Sequence, residues 1–240
     1  MLASGCSSKP PIASTATGPL PSLSQLCAAH PTDKCADHHN YVELYDVYLQ
    51  PKRQQVKRLL EIGVLRGHSL RLWEAYFPTA LIYGVDIEDA SAHDTDRTTT
   101  GVADQASRKE LGALVESHGA NFDIILDVGG HTMEQQQVSF GFLFQHVAQG
   151  GMYIIENIHT SFPQSRRRLA FVVEKGRANT TYAMIDRFVR TGVFESQYLS
   201  STATSSSARR RSSAAGNACP FARGRPVAEP GFGDPRDRRR

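Results

Sequence analysis

Three apolar runs, each ending in an acid or a glycine-rich turn, constrain this chain more than any other feature. Leu59-Leu60-Glu61-Ile62-Gly63 runs on to Gly67, Ile82-Tyr83-Gly84-Val85 ends in Asp86, and Phe122–Leu126 ends in Asp127-Val128-Gly129-Gly130. Fully apolar strands of this length are buried on both faces, which requires a parallel sheet with helices above and below. Glycines after such strands let backbone approach a ligand, and an acid at the second strand's end is placed to take ribose hydroxyls. The pattern therefore predicts an α/β, Rossmann-like, doubly wound and mostly parallel sheet with a nucleoside site at its carboxyl edge.

Helical spacing fills the intervals. Tyr41, Leu44, Tyr45, Tyr48 and Leu49 predict one helical face. Leu70, Trp73 and Phe77 predict another, stopped before Pro78. Lys109–Ser117 closes at Gly119, and Thr132 with Gln135 forms a capping box opening a helix through Val147. A short third strand near Val102 leads to Asp104-Gln105, and Gly150-Gly151 turns into a fifth strand, Met152–Ile155. Residues 163–192 are helical in spacing.

The ends differ in character. Residues 1–31 are rich in Ser, Ala, Thr and Pro and read as a disordered leader. Residues 32–199 form the folded domain, and 200–240 read as a disordered Arg/Ser/Pro-rich tail. That tail holds nine Arg against three acids, so the net charge of +3 hides an acidic remainder. The basic balance thus gives no argument for nucleic acid. Cys6, Cys27, Cys35 and Cys219 make no disulfide framework, and Cys27, Cys35, His38 and His39 lack the spacing of a zinc site. No 18-residue apolar stretch predicts a membrane helix, and Leu2–Cys6 resembles a lipidation site without an apolar segment before it. The expectation is a cytoplasmic protein with no membrane partner.

Glu61-x-Gly63-x-x-x-Gly67 is not the dinucleotide pattern, because Leu65 stands where a second glycine belongs. An acid at the end of strand one suits an ammonium group better than a pyrophosphate, which favours S-adenosylmethionine over NAD. The expected cofactor-binding set is Glu61, Gly63 and Gly67 at the methionine end, Asp86 on the ribose, and Asp104 and Gln105 beside the adenine. The plainer alternatives are a cap or surface turn for Asp86 and a polar helix start for Asp104-Gln105.

Further segments carry a resemblance: Thr32-Asp33-Lys34 with His39-x-Tyr41-x-x-Leu44-Tyr45, Leu60–Gly63, Tyr83–Asp86, Gly129-Gly130-His131-Thr132, and Tyr153–Ser161. Together they resemble class I S-adenosylmethionine-dependent methyltransferases, and more narrowly the macrolide-sugar O-methyltransferases. The resemblance implies methylation of a small-molecule hydroxyl acceptor, with His131 as general base. It also implies a divalent ion held after strands four and five. Of the three carboxylates that would hold it, Glu156 is retained, while Val128 and Asn157 stand at the other two positions. The expected metal site is therefore a weakened magnesium site at Glu156 and Asn157. A catalytically degenerate protein that binds cofactor or a partner without turnover is the alternative. The resemblance further implies two more strands after the fifth, for which residues 200–240 offer no candidate.

Overall fold

The computed structural model describes residues 20–162 and 178–199. Five parallel strands form one sheet: β1 Arg58–Ile62, β2 Leu81–Asp86, β3 Thr98–Val102, β4 Phe122–Asp127 and β5 Val147–Ile155, in the order β3-β2-β1-β4-β5. The chain runs outward from β1 in one direction and then restarts at β4 on its other side. At that reversal the connections leave in opposite directions, and a crevice opens beyond the carboxyl ends of β1 and β4.

Alternation along the strands feeds two cores. Leu59, Ile82, Ile124 and Leu126 pack with Leu70 and Trp73 of α3 (His68–Tyr76), with Phe77 just past its end, and with Val42, Tyr45 and Leu49 of α2 (Tyr41–Leu49). On the opposite face, Leu60, Ile62, Val85 and Ile125 meet Leu111 and Leu114 of α4 (Arg108–His118) and Leu143 of α5 (Met133–Leu143). Sheet faces covered on both sides explain why these strands read as unbroken apolar runs. A third cluster joins Phe140 of α5 to Met184 of α6 (Thr181–Thr191) and to Phe194.

Most predicted boundaries hold within a residue or two, and the capping box at Thr132 and Gln135 forms as expected. Five expectations change. The buried face of α2 is Val42, Tyr45 and Leu49, while Leu44 and Tyr48 are exposed. β5 begins at Val147, not Met152, because Gly150 (φ 78°) and Gly151 sit in a bulged strand, with the register against β4 shifting between Phe122 and Ile124. The helix after Thr132 accordingly ends at Leu143, with a single 3₁₀ turn before the strand.

Order also begins before Thr32. Ser22 caps a short helix, α1 (Leu23–Leu26), and Leu23 is fully buried. Arg53 donates to the Pro21 carbonyl at 2.6 Å and to the Tyr76 carbonyl, fastening this segment to α3. Finally, Cys27 and Cys35 form a disulfide, where the cysteines were expected to make no disulfide framework. The tail, the first 19 residues and the segment 163–177 lie outside the described residues, and so do the calls made on them. Among the described residues no helix is long and apolar enough to cross a membrane.

Candidate functional site

The loop after β1 is shaped by its glycines. Gly63 has φ 93°, and a Cβ there would lie 2.5 Å from the Gly129 Cα, so the loops after β1 and β4 meet backbone to backbone. Only glycine satisfies both demands. Leu65 is also left-handed (φ 50°) and exposed. A Leu in that region costs about 1–2 kcal/mol, and Asp86 offsets this by accepting from Val64 N at 2.7 Å and Leu65 N at 2.9 Å. Burial pushes the Asp86 carboxyl up, but donors from Leu65, Glu88, Val64 and Ile87 outweigh it and hold the group below its ordinary range. The other Asp86 oxygen accepts from Glu88 N at 3.2 Å.

A cleft of about 310 Å³ opens at this edge, lined by Gly63, Asp86, Asp104, Gln105, Gly129, Gly130, His131, Glu156 and Asn157 among others. Among the described residues its acids are Asp33, Asp86, Asp104 and Glu156, and no Lys or Arg lines it. A second cleft of about 280 Å³ adjoins it through Asp33, Gly63, Leu65 and Val128, and contains Lys34, Arg66 and His68.

Two of the predicted cofactor residues fall outside both clefts. Glu61 is fully buried, accepting from Ser69 Oγ at 2.7 Å and Trp73 Nε1 at 3.2 Å. Burial raises its pKa to about 6, against the lowering influence of Lys34, Ser69 and Trp73. It reaches the clefts only through Lys34 and Ser69, which line the second one. Gly67 (φ 67°) starts α3, but the His93 ring covers it: a Cβ there would lie 2.4 Å from that ring.

Asp104 and Gln105 line the first cleft yet also do structural work. Asp104 Oδ1 accepts from Ala106 N at 2.8 Å in a turn before α4; the helix itself starts at Arg108 with Ser107 as its cap, not at Ala106. Gln105 Nε2 donates to Asp127 Oδ1 at 3.0 Å, and its Oε1 accepts from Gly130 N at 2.7 Å, which ties the loop after β3 to the loop after β4. Asp127 faces away from the cleft, accepting also from Ser139 Oγ at 2.5 Å and Tyr153 OH at 3.1 Å. Burial lifts its carboxyl to about 6 despite these donors.

His131 and the expected metal ligands share one polar network. Tyr41 OH donates to Asn157 Oδ1 at 3.1 Å, which leaves the Asn157 amide nitrogen to donate to His131 Nε2 at 2.9 Å. The ring proton then belongs on Nδ1, which is buried with no partner. Burial, followed by the charges of His159 and Lys34, lowers the His131 pKa to about 4, so the ring is neutral at physiological pH.

Glu156 is 6% exposed; its Oε1 accepts from Tyr45 OH and its Oε2 from Lys34 Nζ at 3.3 Å. The same ammonium lies 3.8 Å from both Glu61 Oε1 and Asp33 Oδ1. Burial opposes charge on Lys34, but Glu61, Glu156 and Asp33 raise its pKa overall.

This donor set does not fit magnesium. Both Glu156 oxygens are engaged, the Asn157 oxygen takes Tyr41 OH, and Val128 offers no donor atom. A hard dication asks for several free oxygens. Two unit charges 4 Å apart repel by about 4 kcal/mol at an effective dielectric of about 20, and a dication beside the ammonium doubles that. Among the described residues, no group of three or more His, Cys, Asp or Glu is arranged to hold a metal ion.

Sequence reasoning missed Lys34, Tyr41 and Tyr45 as members of the site. Lys34 meets Glu156 across 122 positions, and Tyr45 meets it across 111. The one usable signal was the i,i+4 spacing of the two tyrosines on α2.

No family model matches the chain. It is 38% identical over 153 residues to demethylmacrocin O-methyltransferase of Streptomyces fradiae, covering 61% of this chain and 38% of that protein. It is also 38% identical over 149 residues to mycinamicin VI 2''-O-methyltransferase of Micromonospora griseorubida, covering 59% and 37%. Among solved structures, the MycE methyltransferase of the mycinamycin pathway, in complex with Mg, SAH and mycinamycin VI, aligns with a TM-score of 0.64 at 31% identity. That alignment covers 72% of this chain and 49% of MycE. The chain spans less than half the length of these relatives. Its five-stranded parallel domain has a Rossmann-like fold and is similar in sequence and structure to these O-methyltransferases.

Proposed function

We propose that the cleft binds S-adenosylmethionine and that the protein transfers its methyl group to a hydroxyl of a small, sugar-bearing acceptor. The observation that carries this reading is the cleft's lining among the described residues: four acids, glycine backbone on either side of the sheet reversal, and no Lys or Arg. Such a lining repels a pyrophosphate and favours a cation, and the cofactor supplies a methyl group on a positively charged sulfur. Gly63 and Gly129 admit the ligand close to backbone. The free lone pairs of Asp86 Oδ1 suit a ribose diol, and Asp104 and Gln105 flank the adenine. Arg66 and His68 in the adjoining cleft suit a carboxylate, with Glu61 acting behind them through Lys34 and Ser69. The relatives' names support the acceptor class, since these enzymes methylate macrolide sugars.

His131 is the proposed base. Its neutral ring accepts at Nε2, and an acceptor hydroxyl that displaces the Asn157 amide would deliver its proton there. A positioned base contributes on the order of 10²–10⁴ in rate. With sugar-bearing acceptors and a labelled methyl donor, His131→Ala should lower kcat by a factor in that range; unimpaired turnover removes the assignment.

A second reading is favoured by the tie between His131 Nε2 and Asn157 and by the two absent carboxylates. In it, the fold binds the cofactor without turnover. Ligand binding in the unmodified protein with no methyl transfer to any sugar-bearing acceptor would select it.

A further inference from the structure

One covalent bond fastens the segment that carries Asp33 and Lys34. Cys27 closes α1, Cys35 lies in the turn before α2, and the disulfide between them spans 8 positions. Inside that span, Asp33 lines both clefts, and the Lys34 ammonium reaches Glu156 Oε2 at 3.3 Å and Glu61 Oε1 at 3.8 Å. Each end has its own anchor. Leu23 N donates to Asp46 Oδ2 at 3.0 Å, which holds α1 on α2. His39 N donates to the Asp33 carbonyl at 3.0 Å and Val42 N to the Lys34 carbonyl at 3.2 Å, which joins the turn to α2. Between the anchors, the amides of Ala28, Ala29 and His30 turn back onto the carbonyls of Gln25 and Leu26. The disulfide is therefore the bond that draws residues 32–34 tight against α1.

We propose that the Cys27–Cys35 bond is a redox latch: a dithiol reductant opens it and loosens the Asp33-Lys34 turn that pairs with Glu156, while the nucleoside side at Gly63 and Asp86 keeps its shape. Cys27 is half-buried and Cys35 is 7% exposed, so the Cys27 sulfur is the one within reach of a reductant. A thiolate of the reductant attacks Cys27 Sγ, the S–S bond breaks, and Cys35 leaves as a thiolate. Thr32 N, which donates to Cys35 Sγ at 3.4 Å, favours that thiolate. The reductant's second thiol then displaces Cys27 from the mixed disulfide, so the reductant gains the disulfide and both cysteines end as thiols. Opening stays local, because Val42, Tyr45 and Leu49 hold α2 in the core and Asp86 holds the loop after β1 without help from the turn. Any effect on methyl transfer rests on the proposed function; reducibility and loosening of the turn do not.

The test treats the full-length protein with millimolar dithiothreitol under native conditions. Alkylation followed by peptide mass spectrometry should find Cys27 and Cys35 freed while a cooperative melting transition persists. Amide hydrogen exchange over residues 32–42 should quicken by about tenfold to a hundredfold, the range that the lost loop closure allows, with exchange at Val64 and Leu65 unchanged. Calorimetry should return the same S-adenosylhomocysteine affinity, and methyl transfer should fall by about tenfold or more and recover on reoxidation. Cys27→Ser/Cys35→Ser should match the reduced form and ignore the reductant, which separates this bond from Cys6 and Cys219. A disulfide that opens only when the whole protein unfolds overturns the proposal. Unchanged exchange over residues 32–42 after reduction overturns it too, as does ligand affinity lost in step with the exchange. If neither redox form binds the ligand or transfers methyl, the proposed function fails and the exchange measurement still decides the latch. If the double variant does not fold, the reduced unmodified protein decides alone.

Discussion

The two halves of the cleft are built by different means. On the β1–β2 side, the surface offered to a ligand is backbone and one acid: Gly63, Gly129 and the free lone pairs of Asp86. On the β4–β5 side, Lys34, Tyr41, Tyr45, His131, Glu156 and Asn157 satisfy one another. The first half is open because its shape is set by glycine conformations and by an acid held ionised through backbone donors. The second is closed because an internal cation and two tyrosines have taken the oxygens that a metal would use. In the proposed function, cofactor binding and metal dependence would therefore be separable, although a single cleft holds both sets of residues.

The largest effect should come from the backbone half. Gly63→Ala places a Cβ 2.5 Å from the Gly129 Cα at φ 93°, and strain plus overpacking should cost about 2–4 kcal/mol. Denaturant unfolding would register this; an unchanged midpoint would mean that the loops move apart freely, and the contrast between a fixed and a networked half would fail.

Titration next contrasts the open half with the acid buried behind the cleft. Asp127, held by Gln105, Ser139 and Tyr153, has its pKa raised from 3.8 to about 6 by burial, while Asp86 in the open half sits below its ordinary value. A raised carboxyl favours the folded state increasingly as pH falls from about 6 to about 4, and its burial penalty is constant above 6. A depressed one acts oppositely: its contribution is present above the unfolded value and is lost as pH falls below it. At about 1.4 kcal/mol per unit, Asp127 should supply an order of 2–3 kcal/mol of added stability at pH 4 relative to pH 7. Asp127→Asn should flatten that slope in unfolding measured across this range, and an unaltered slope would remove the assignment.

The disulfide sharpens the comparison from outside the cleft. Cys27 and Cys35 close a loop across a separation of 8 residues, immediately beside Lys34. Loop-closure entropy for so short a loop amounts to about 2–3 kcal/mol. Reduction, or Cys27→Ser, should lower the unfolding free energy by that amount and leave nucleoside affinity nearly intact. Equal loss of affinity would show that the Lys34 network shapes the open half as well.

How much of this was readable in the residues follows from what each feature depends on. Strands β1, β2 and β4 were legible because burial on both faces imposes continuous apolar runs. Gly63 and Asp86 were legible because a strand end and a turn lie within a few positions of each other. The start of β5 was misread because Gly150-Gly151 looks the same in a turn as in a bulge. Leu23 escaped notice because a four-residue helix has no periodicity to detect. Lys34 was visible only as part of a motif: its partners Glu61 and Glu156 lie far away in sequence, and no local spacing predicts their meeting. Glu61 was read correctly as an acid at the right strand end, but its direction was not, since Ser69 and Trp73 draw it inward.

The most direct test of the account is calorimetric titration of S-adenosylhomocysteine into the protein in excess EDTA, beside Asp86→Asn. The account predicts saturable binding at micromolar ligand without metal, unchanged by added magnesium and weakened about tenfold, or about 1.4 kcal/mol, by Asp86→Asn. Absence of binding at high micromolar ligand, or binding that appears only with magnesium, would contradict it.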